Sequence, residues 1–227
     1  MVEGRLSDWM PASEAAAALG LTRQRVLQLV GDGALRSRVL GHQTLVRRED
    51  VEARLELRPA SGRRYSPRRA WALILLWDGA TPPGLDAPTL SRLRAVARRG
   101  LWDVRARLAS RARRRDLRAH SSDLARLAAE GAVVRTGPRF AAEAGLGLVA
   151  PDAQVELYVD ASTARRLERR YALRPTDEPN VVLRVVPDEV RAWLSGPVAP
   201  RAAVALDLAD DRDPRSQQVA REALTAR

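Results

Sequence analysis

The sequence predicts a mainly α chain with small β elements, an α+β fold in three parts. A helix-turn-helix with a two-stranded wing covers residues 1–58. An arginine-rich helical domain covers 59–150, and a small strand–helix–strand domain covers 151–227. Three observations carry this division. Two short helical patterns meet at a tight Gly20-Leu21-Thr22 turn. Apolar residues then recur at helical spacing from residue 70 to residue 108. Finally, the β-rich runs VELYV (155–159) and VVLRVV (181–186) flank a helical pattern.

The first helix starts at Ser13, a good N-cap, with Glu14 in the first turn where a carboxylate suits the helix dipole. It runs to Leu19, and Gly20 is suited to the left-handed position that ends it. Leu21 is expected to pack inward. Thr22 caps a second helix that runs to about Asp32 and stops at Gly33. Projected at 100° per residue, Val26, Leu27, Leu29 and Val30 fall on one side of it. Gln24 and Gln28 fall opposite, one turn apart, with Arg25 beside them. These side-chain types read base edges: glutamine is bidentate to adenine, arginine to guanine. An ordinary amphipathic helix also has a polar outer face, but it does not require this combination. Thr22 and the free N–H groups at the helix start suit a phosphate. Arg23 lies nearer the apolar side, which gives it a phosphate contact or a surface role.

Leu35, Val39, Leu45 and Val46 belong to two extended runs around Gly41-His42, which read as a β-hairpin. Arg36, Arg38, Arg47 and Arg48, with Gln43, are then placed to meet a phosphate backbone beside a groove. His42 at the tip is either a solvated turn residue, the better account, or a minor-groove contact. Arg48-Glu49-Asp50 opens a third helix with Val51 and Leu55 inward.

With these residues in place, residues 11–57 resemble the excisionase-like and MerR-like winged helix-turn-helix family. The resemblance rests on Ser13-Glu14-Ala15-Ala16, Leu19-Gly20, the Val26/Leu29/Val30 core, Asp32-Gly33, the arginine-flanked hairpin and Arg48-Glu49-Asp50-Val51. It implies double-stranded DNA as partner, the second helix in the major groove and the wing on the backbone.

Residues 59–67 read as a link rich in Arg, Ser, Gly and Pro. Ser66-Pro67 opens a helix through WALILLW to Trp77, closed by Asp78-Gly79. A second helix starts near Pro88-Thr89, with Leu90, Leu93, Val96, Leu101, Val104 and Leu108 inward and a break at Gly100. Its other faces carry arginines, among them Arg111, Arg113, Arg114 and Arg115. Such a run is either a solvated face of a bundle or an electrostatic platform. Residues 61–120 hold 15 arginines against 4 carboxylates, too one-sided for pairing along a helix to neutralise. The imbalance favours a platform for flanking DNA or an acidic partner protein. Residues 1–60 hold 9 against 8, and 121–227 hold 15 against 16. The excess therefore lies in the middle, and the head supplies base reading more than electrostatic grip.

A short helix over 123–130 and a short strand and turn over 131–137 follow. In the last part, residues 161–173 form the helix of the strand–helix–strand unit, with Leu167 and Tyr171 inward. An apolar helix then occupies 200–211, and Asp213 caps a final helix with Pro214 at its first position. Asp207, Asp210, Asp211 and Asp213 invite comparison with a metal site, but capping and a polar loop explain them better. His120 stands apart from any serine or cysteine nucleophile pattern.

Composition narrows the function. The chain has 227 residues, a net charge of +11, no cysteine and two histidines; all 39 basic residues are arginine. Disulfide frameworks and thiolate metal sites are excluded, and a histidine metal site is disfavoured. The excess of positive charge favours an anionic partner such as nucleic acid. No run reaches the roughly 18 apolar residues of a membrane span, so a cytoplasmic, nucleoid-associated protein without a membrane partner is expected. None of the P-loop, dinucleotide-binding, nucleophile-elbow or zinc-protease motifs occurs, so neither a cofactor nor an enzymatic activity is expected.

The segments 66–79, 91–103, 117–127, 169–187 and 203–220 together resemble the AbiEi-type antitoxins of type IV toxin–antitoxin systems. This resemblance implies an autoregulating repressor that binds its operator beside a nucleotidyltransferase-like toxin; a homodimer is compatible with that role. An excisionase-like recombination directionality factor, an architectural DNA binder, is the alternative. The size of the region after the head speaks against it.

Overall fold

The computed structural model describes residues 8–19, 21–33, 35–41, 43–56, 64–150, 153–211 and 213–225. The chain is a mixed α+β protein, and its described residues form two separate sheets. It divides into two compact units, Met1–Ser61 and Gly62–Arg227. Among the described residues no helix is long and apolar enough to cross a membrane.

In the first unit the order is β1 (Trp9–Pro11), α1 (Ala12–Leu19), α2 (Arg23–Gly31), β2 (Ser37–Leu40), β3 (Gln43–Arg47) and α3 (Arg48–Glu56). The expected hairpin is present, with Val39 opposite Thr44 and Leu40 opposite Gln43. β1 was not expected from the sequence. It pairs antiparallel with β3, giving a sheet in the order β1-β3-β2. Pairing of Pro11 with Leu45 holds the chain until the residue before α1, so α1 begins at Ala12 and Ser13 lies inside the helix instead of capping it. Thr22 caps α2 as expected, its hydroxyl accepting from the Arg25 N–H at 3.2 Å. Gly33 follows at φ +72°, a conformation that favours glycine. Leu21 does not pack inward. Its N–H closes the turn onto the Ala16 carbonyl at 2.9 Å, and the side chain remains 38% exposed. Ala12, Ala15, Ala16 and Leu19 of α1 pack with Val26 and Leu29 of α2 and with Met10, Val46 and Val51. Gly20, His42, the Leu55 side chain and residues 59–63 of the expected link lie outside the described residues.

The second unit begins with α4 (Pro67–Trp77), capped by Ser66, and α5 (Ala87–Ala97), capped by Asp86. Gly100, at φ +93°, then turns the chain, and the Leu101 N–H is bound by the Leu224 carbonyl at 2.7 Å. A 3-10 helix, Trp102–Arg111, replaces the continuing α-helix that the spacing predicts. Beyond it lie β4 (Arg113–Arg118), α6 (Leu124–Ala128), β5 (Val134–Thr136), β6 (Val155–Val159), α7 (Ala161–Arg170), β7 (Arg174–Pro175), β8 (Val181–Val185), α8 (Asp188–Arg191), α9 (Arg201–Ala209) and α10 (Pro214–Leu224). The arginine run RRRDLR is thus a strand, β4, and not a decorated helix face.

The strands form one sheet in the order β5-β6-β8-β4-β7. β6 and β8 are parallel and joined through α7, as the strand–helix–strand reading requires. The sheet takes β4 and β5 from the segment expected to be a separate helical domain. Residues 59–150 and 151–227 therefore do not stand as two domains; one sheet binds them into one unit.

Alternation along the strands sorts the core. Val155, Leu157, Val159, Val181 and Leu183 pack with Leu167 of α7 and Leu127 of α6. Tyr158 and Val186 pack on the other side with the wholly buried runs Ala70–Ile74 of α4 and Ala202–Leu206 of α9. Asp160 caps α7: its carboxylate accepts from the Ser162 hydroxyl (2.6 Å), the Thr163 N–H (2.8 Å) and the Thr163 hydroxyl (2.9 Å). Partial burial pushes this carboxyl up, but the hydrogen bonds outweigh it and bring it down to about 2. A lowered folded-state pKa stabilises the fold above the ordinary carboxylate range, and that stability is lost as pH falls through the folded value. The Asp160 carboxyl is expected to titrate near pH 2 by carbon-detected NMR; titration near the ordinary aspartate value of about 3.9 would show that the cap is not formed in solution.

Candidate nucleic-acid interface

α2 presents an uncovered polar face. Val26 and Leu29 are buried beneath it, and Thr22, Arg23, Gln24, Arg25 and Gln28 are all exposed. The Arg25 Nη1 donates to the Gln28 Oε1 at 3.0 Å. That contact orients both side chains and leaves the Gln28 amide N–H groups and the rest of the guanidinium facing outward. A donor-rich surface one helical turn long, on a helix whose start is capped by a threonine, is chemically suited to base edges and phosphates.

The hairpin arginines divide into two kinds. Arg38 lies over the Trp9 ring, 4.7 Å from its centroid, and Arg47 lies 5.8 Å from the same centroid. The register explains this: Trp9 is opposite Arg47 and Pro11 opposite Leu45, which is itself opposite Arg38, so all share one face of the sheet. β1 is thus what holds these two cations in place. Gln43 is exposed at the start of β3.

Arg36 differs. Its backbone N–H, Nε and Nη2 all bind Asp50, at 2.5–3.0 Å, and Nη2 also reaches Glu49 at 3.2 Å. Hydrogen bonding to Arg36 holds the Asp50 carboxyl below its ordinary range. Arg36, from which a phosphate contact is expected, ties the hairpin to α3 while its side chain stays more than half exposed. Arg47 also bonds Glu49 at 3.3 Å, and Arg48 lies 3.7 Å from Glu14.

The middle arginines belong to the second unit. Arg113 is exposed on β4. Arg114 is paired with Asp116 at 2.8 Å, and Arg115 with Glu168 of α7. Arg111 overturns the expectation outright: it is 2% exposed and lies inside the unit. Its Nε and Nη2 donate to Asp207 at 3.1 and 2.7 Å, and Nη2 also reaches Asp210. Asp207, fully buried, further accepts from the Tyr158 hydroxyl at 2.9 Å and the Thr136 hydroxyl at 2.5 Å. Arg184 completes the cluster, 3.2 Å from Asp207 and 2.9 Å from Glu156. Burial opposes the charge on Arg111, yet Asp207, Tyr158 and Asp210 outweigh it and hold the guanidinium protonated. Burial pushes the Glu156 carboxyl up against the pull of Arg184.

Sequence reasoning assigned Asp207 to capping and a polar loop, and it missed Glu156 and Arg184. The signal was a lone carboxylate inside AAVALDLA and single charges inside VELYV and VVLRVV. Asp213 does cap α10, as expected. His120 is not isolated: its Nδ1 lies 2.7 Å from the Ser122 hydroxyl. The contact is local to a 3-10 turn that His120 itself caps, and among the described residues no carboxylate orients the ring.

Among the described residues no group of three or more His, Cys, Asp or Glu side chains is arranged to hold a metal ion. No family model matches the chain, and no curated protein or solved structure matches it either.

Proposed function

We propose that the chain is a sequence-specific DNA-binding transcriptional regulator whose first unit acts as a winged helix-turn-helix. The observation that carries this reading is the face of α2, where Gln24, Arg25 and Gln28 are exposed together and a hydrogen bond orients Arg25 and Gln28. In the proposed complex α2 lies in the major groove, and Arg38 and Arg47, held over Trp9, meet phosphates. Arg113, exposed on the second unit, adds electrostatic affinity; Arg111 does not. The antitoxin role, autoregulation beside a nucleotidyltransferase-like toxin, follows from the resemblance of the second unit and belongs to the same proposal, as does residence on the nucleoid.

Footprinting on the DNA upstream of the chain's own coding sequence tests the reading. Gln24→Ala and Gln28→Ala are each expected to reduce discrimination against a mismatched site by about 1–3 kcal/mol. Arg113→Ala should weaken binding to all sequences alike and flatten the salt dependence. Protection that survives all three substitutions unchanged, or no protection at low salt, would sink the proposal.

A further inference from the structure

A second surface lies within the second unit, away from any residue assigned above. The C-terminal end of α4, the last turn of α5 and the start of α9 enclose an open cleft of ≈ 1070 Å³. Its floor is apolar: Leu75 and Ala97 are buried, and Leu76 and Trp77 are half-buried. Its rim is cationic. Arg94 and Arg98 stand one helical turn apart at the end of α5, and Arg201 stands at the start of α9. Among the described residues none of the three forms an ion pair.

The one carboxylate lining the cleft is already engaged. Both oxygens of Asp78 accept from the Ala202 N–H, at 3.2 and 2.9 Å. Asp78 so caps α9 in place of Pro200, which offers no capping side chain. The placement of Arg94 and Arg98 near the C-terminal end of α5 agrees with the helix dipole, which alone could account for them. Arg201 is different. It is the first residue of α9, where the dipole opposes a cation. A guanidinium held there without an ion-pair partner, lining the same apolar cleft as two others, fits an anionic occupant better than it fits the stability of the helix.

The occupant's chemistry follows from the shape. At ≈ 1070 Å³ the cleft stands at the upper end of the roughly 300–1,000 Å³ typical of small-ligand pockets, and it opens to solvent. That suits a segment of polypeptide. A nucleic-acid strand would require aromatic faces for its bases. Here the floor is largely aliphatic, with a single half-buried indole. The geometry points to a docking site for an acidic amphipathic helix of a partner protein, its leucine-type side chains on Leu75, Leu76 and Trp77 and its carboxylates on Arg94, Arg98 and Arg201. This site does not depend on the DNA-binding reading.

The test uses the full chain and a fluorescein-labelled 15-residue peptide with Leu at positions i, i+3, i+4 and i+7 and Glu elsewhere. Its Lys-for-Glu counterpart and a 12-nucleotide single strand serve as comparisons. The acidic peptide is expected to bind, to shift the Trp77 indole N–H resonance and to leave that of Trp9 in place. Arg94→Glu combined with Arg98→Glu should weaken it roughly tenfold or more; both side chains are exposed. Arg201→Glu alone should weaken it in the same direction, and thermal unfolding of each variant checks that the fold persists. Absence of binding, binding indifferent to these reversals, or stronger binding of the oligonucleotide at Trp77 would each overturn the assignment.

Discussion

Asp207→Ala is expected to cost the second unit about 3–5 kcal/mol, the range for removing one partner of a buried ion pair. The magnitude follows from what is left behind. Asp207 is fully buried and holds the guanidiniums of Arg111 and Arg184 and the hydroxyls of Tyr158 and Thr136. Alanine leaves two buried cations facing each other with only Glu156 and the part-exposed Asp210 to balance them. Against a total stability of about 5–15 kcal/mol for a typical domain, such a loss is large. Asp210→Ala should cost less, because its side chain is 45% exposed and water can replace it. A chain of two units need not unfold in one step, so amide hydrogen exchange in β6 and β8 is the proper readout. A loss below about 1 kcal/mol for Asp207→Ala would mean that the cluster relaxes or hydrates freely.

Trp71→Ala is expected to be comparably severe, about 3–5 kcal/mol for deleting a buried large aromatic. Trp71 is fully buried in α4. Its ring meets Tyr158 edge-on, with centroids 5.0 Å apart at 77°, and its Nε1–H donates to the Arg111 carbonyl at 2.8 Å. The residue therefore packs the core and also fixes the backbone from which Arg111 reaches inward. Trp71→Phe keeps most of the apolar contact but orphans that carbonyl, at a cost of about 1–3 kcal/mol. Urea unfolding should rank Ala well below Phe, and Phe below the native chain; a Phe midpoint equal to that of the native chain would contradict a role for the indole N–H.

Local rules were legible where a few neighbouring residues decide the outcome. Thr22, Ser66-Pro67 and Asp213-Pro214 each start a helix as their capping chemistry demands. VELYV and VVLRVV are strands with a helix between them. The candidate recognition face was legible for the same reason: helical periodicity alone separates Gln24 and Gln28 from Val26 and Leu29.

The arginine run was not legible. Alternation in RRRDLR is masked because Arg115 is held by Glu168 on the α7 side of the sheet, where an apolar residue would have marked the period. β1 escaped notice because three residues carry no periodic signal, and only pairing with β3 makes them a strand.

The sequence by itself determined the helix starts, the βαβ unit, the outward face of α2 and the excess of positive charge. The tertiary structure decided which charges are available. Arg113 and Arg111 stand two residues apart, yet one is exposed and the other is enclosed by Asp207, 96 residues further along the chain. A guanidinium tolerates burial only where carboxylates arrive to meet it. Their arrival is set by how α9 packs against the sheet, and no local window of sequence contains both partners.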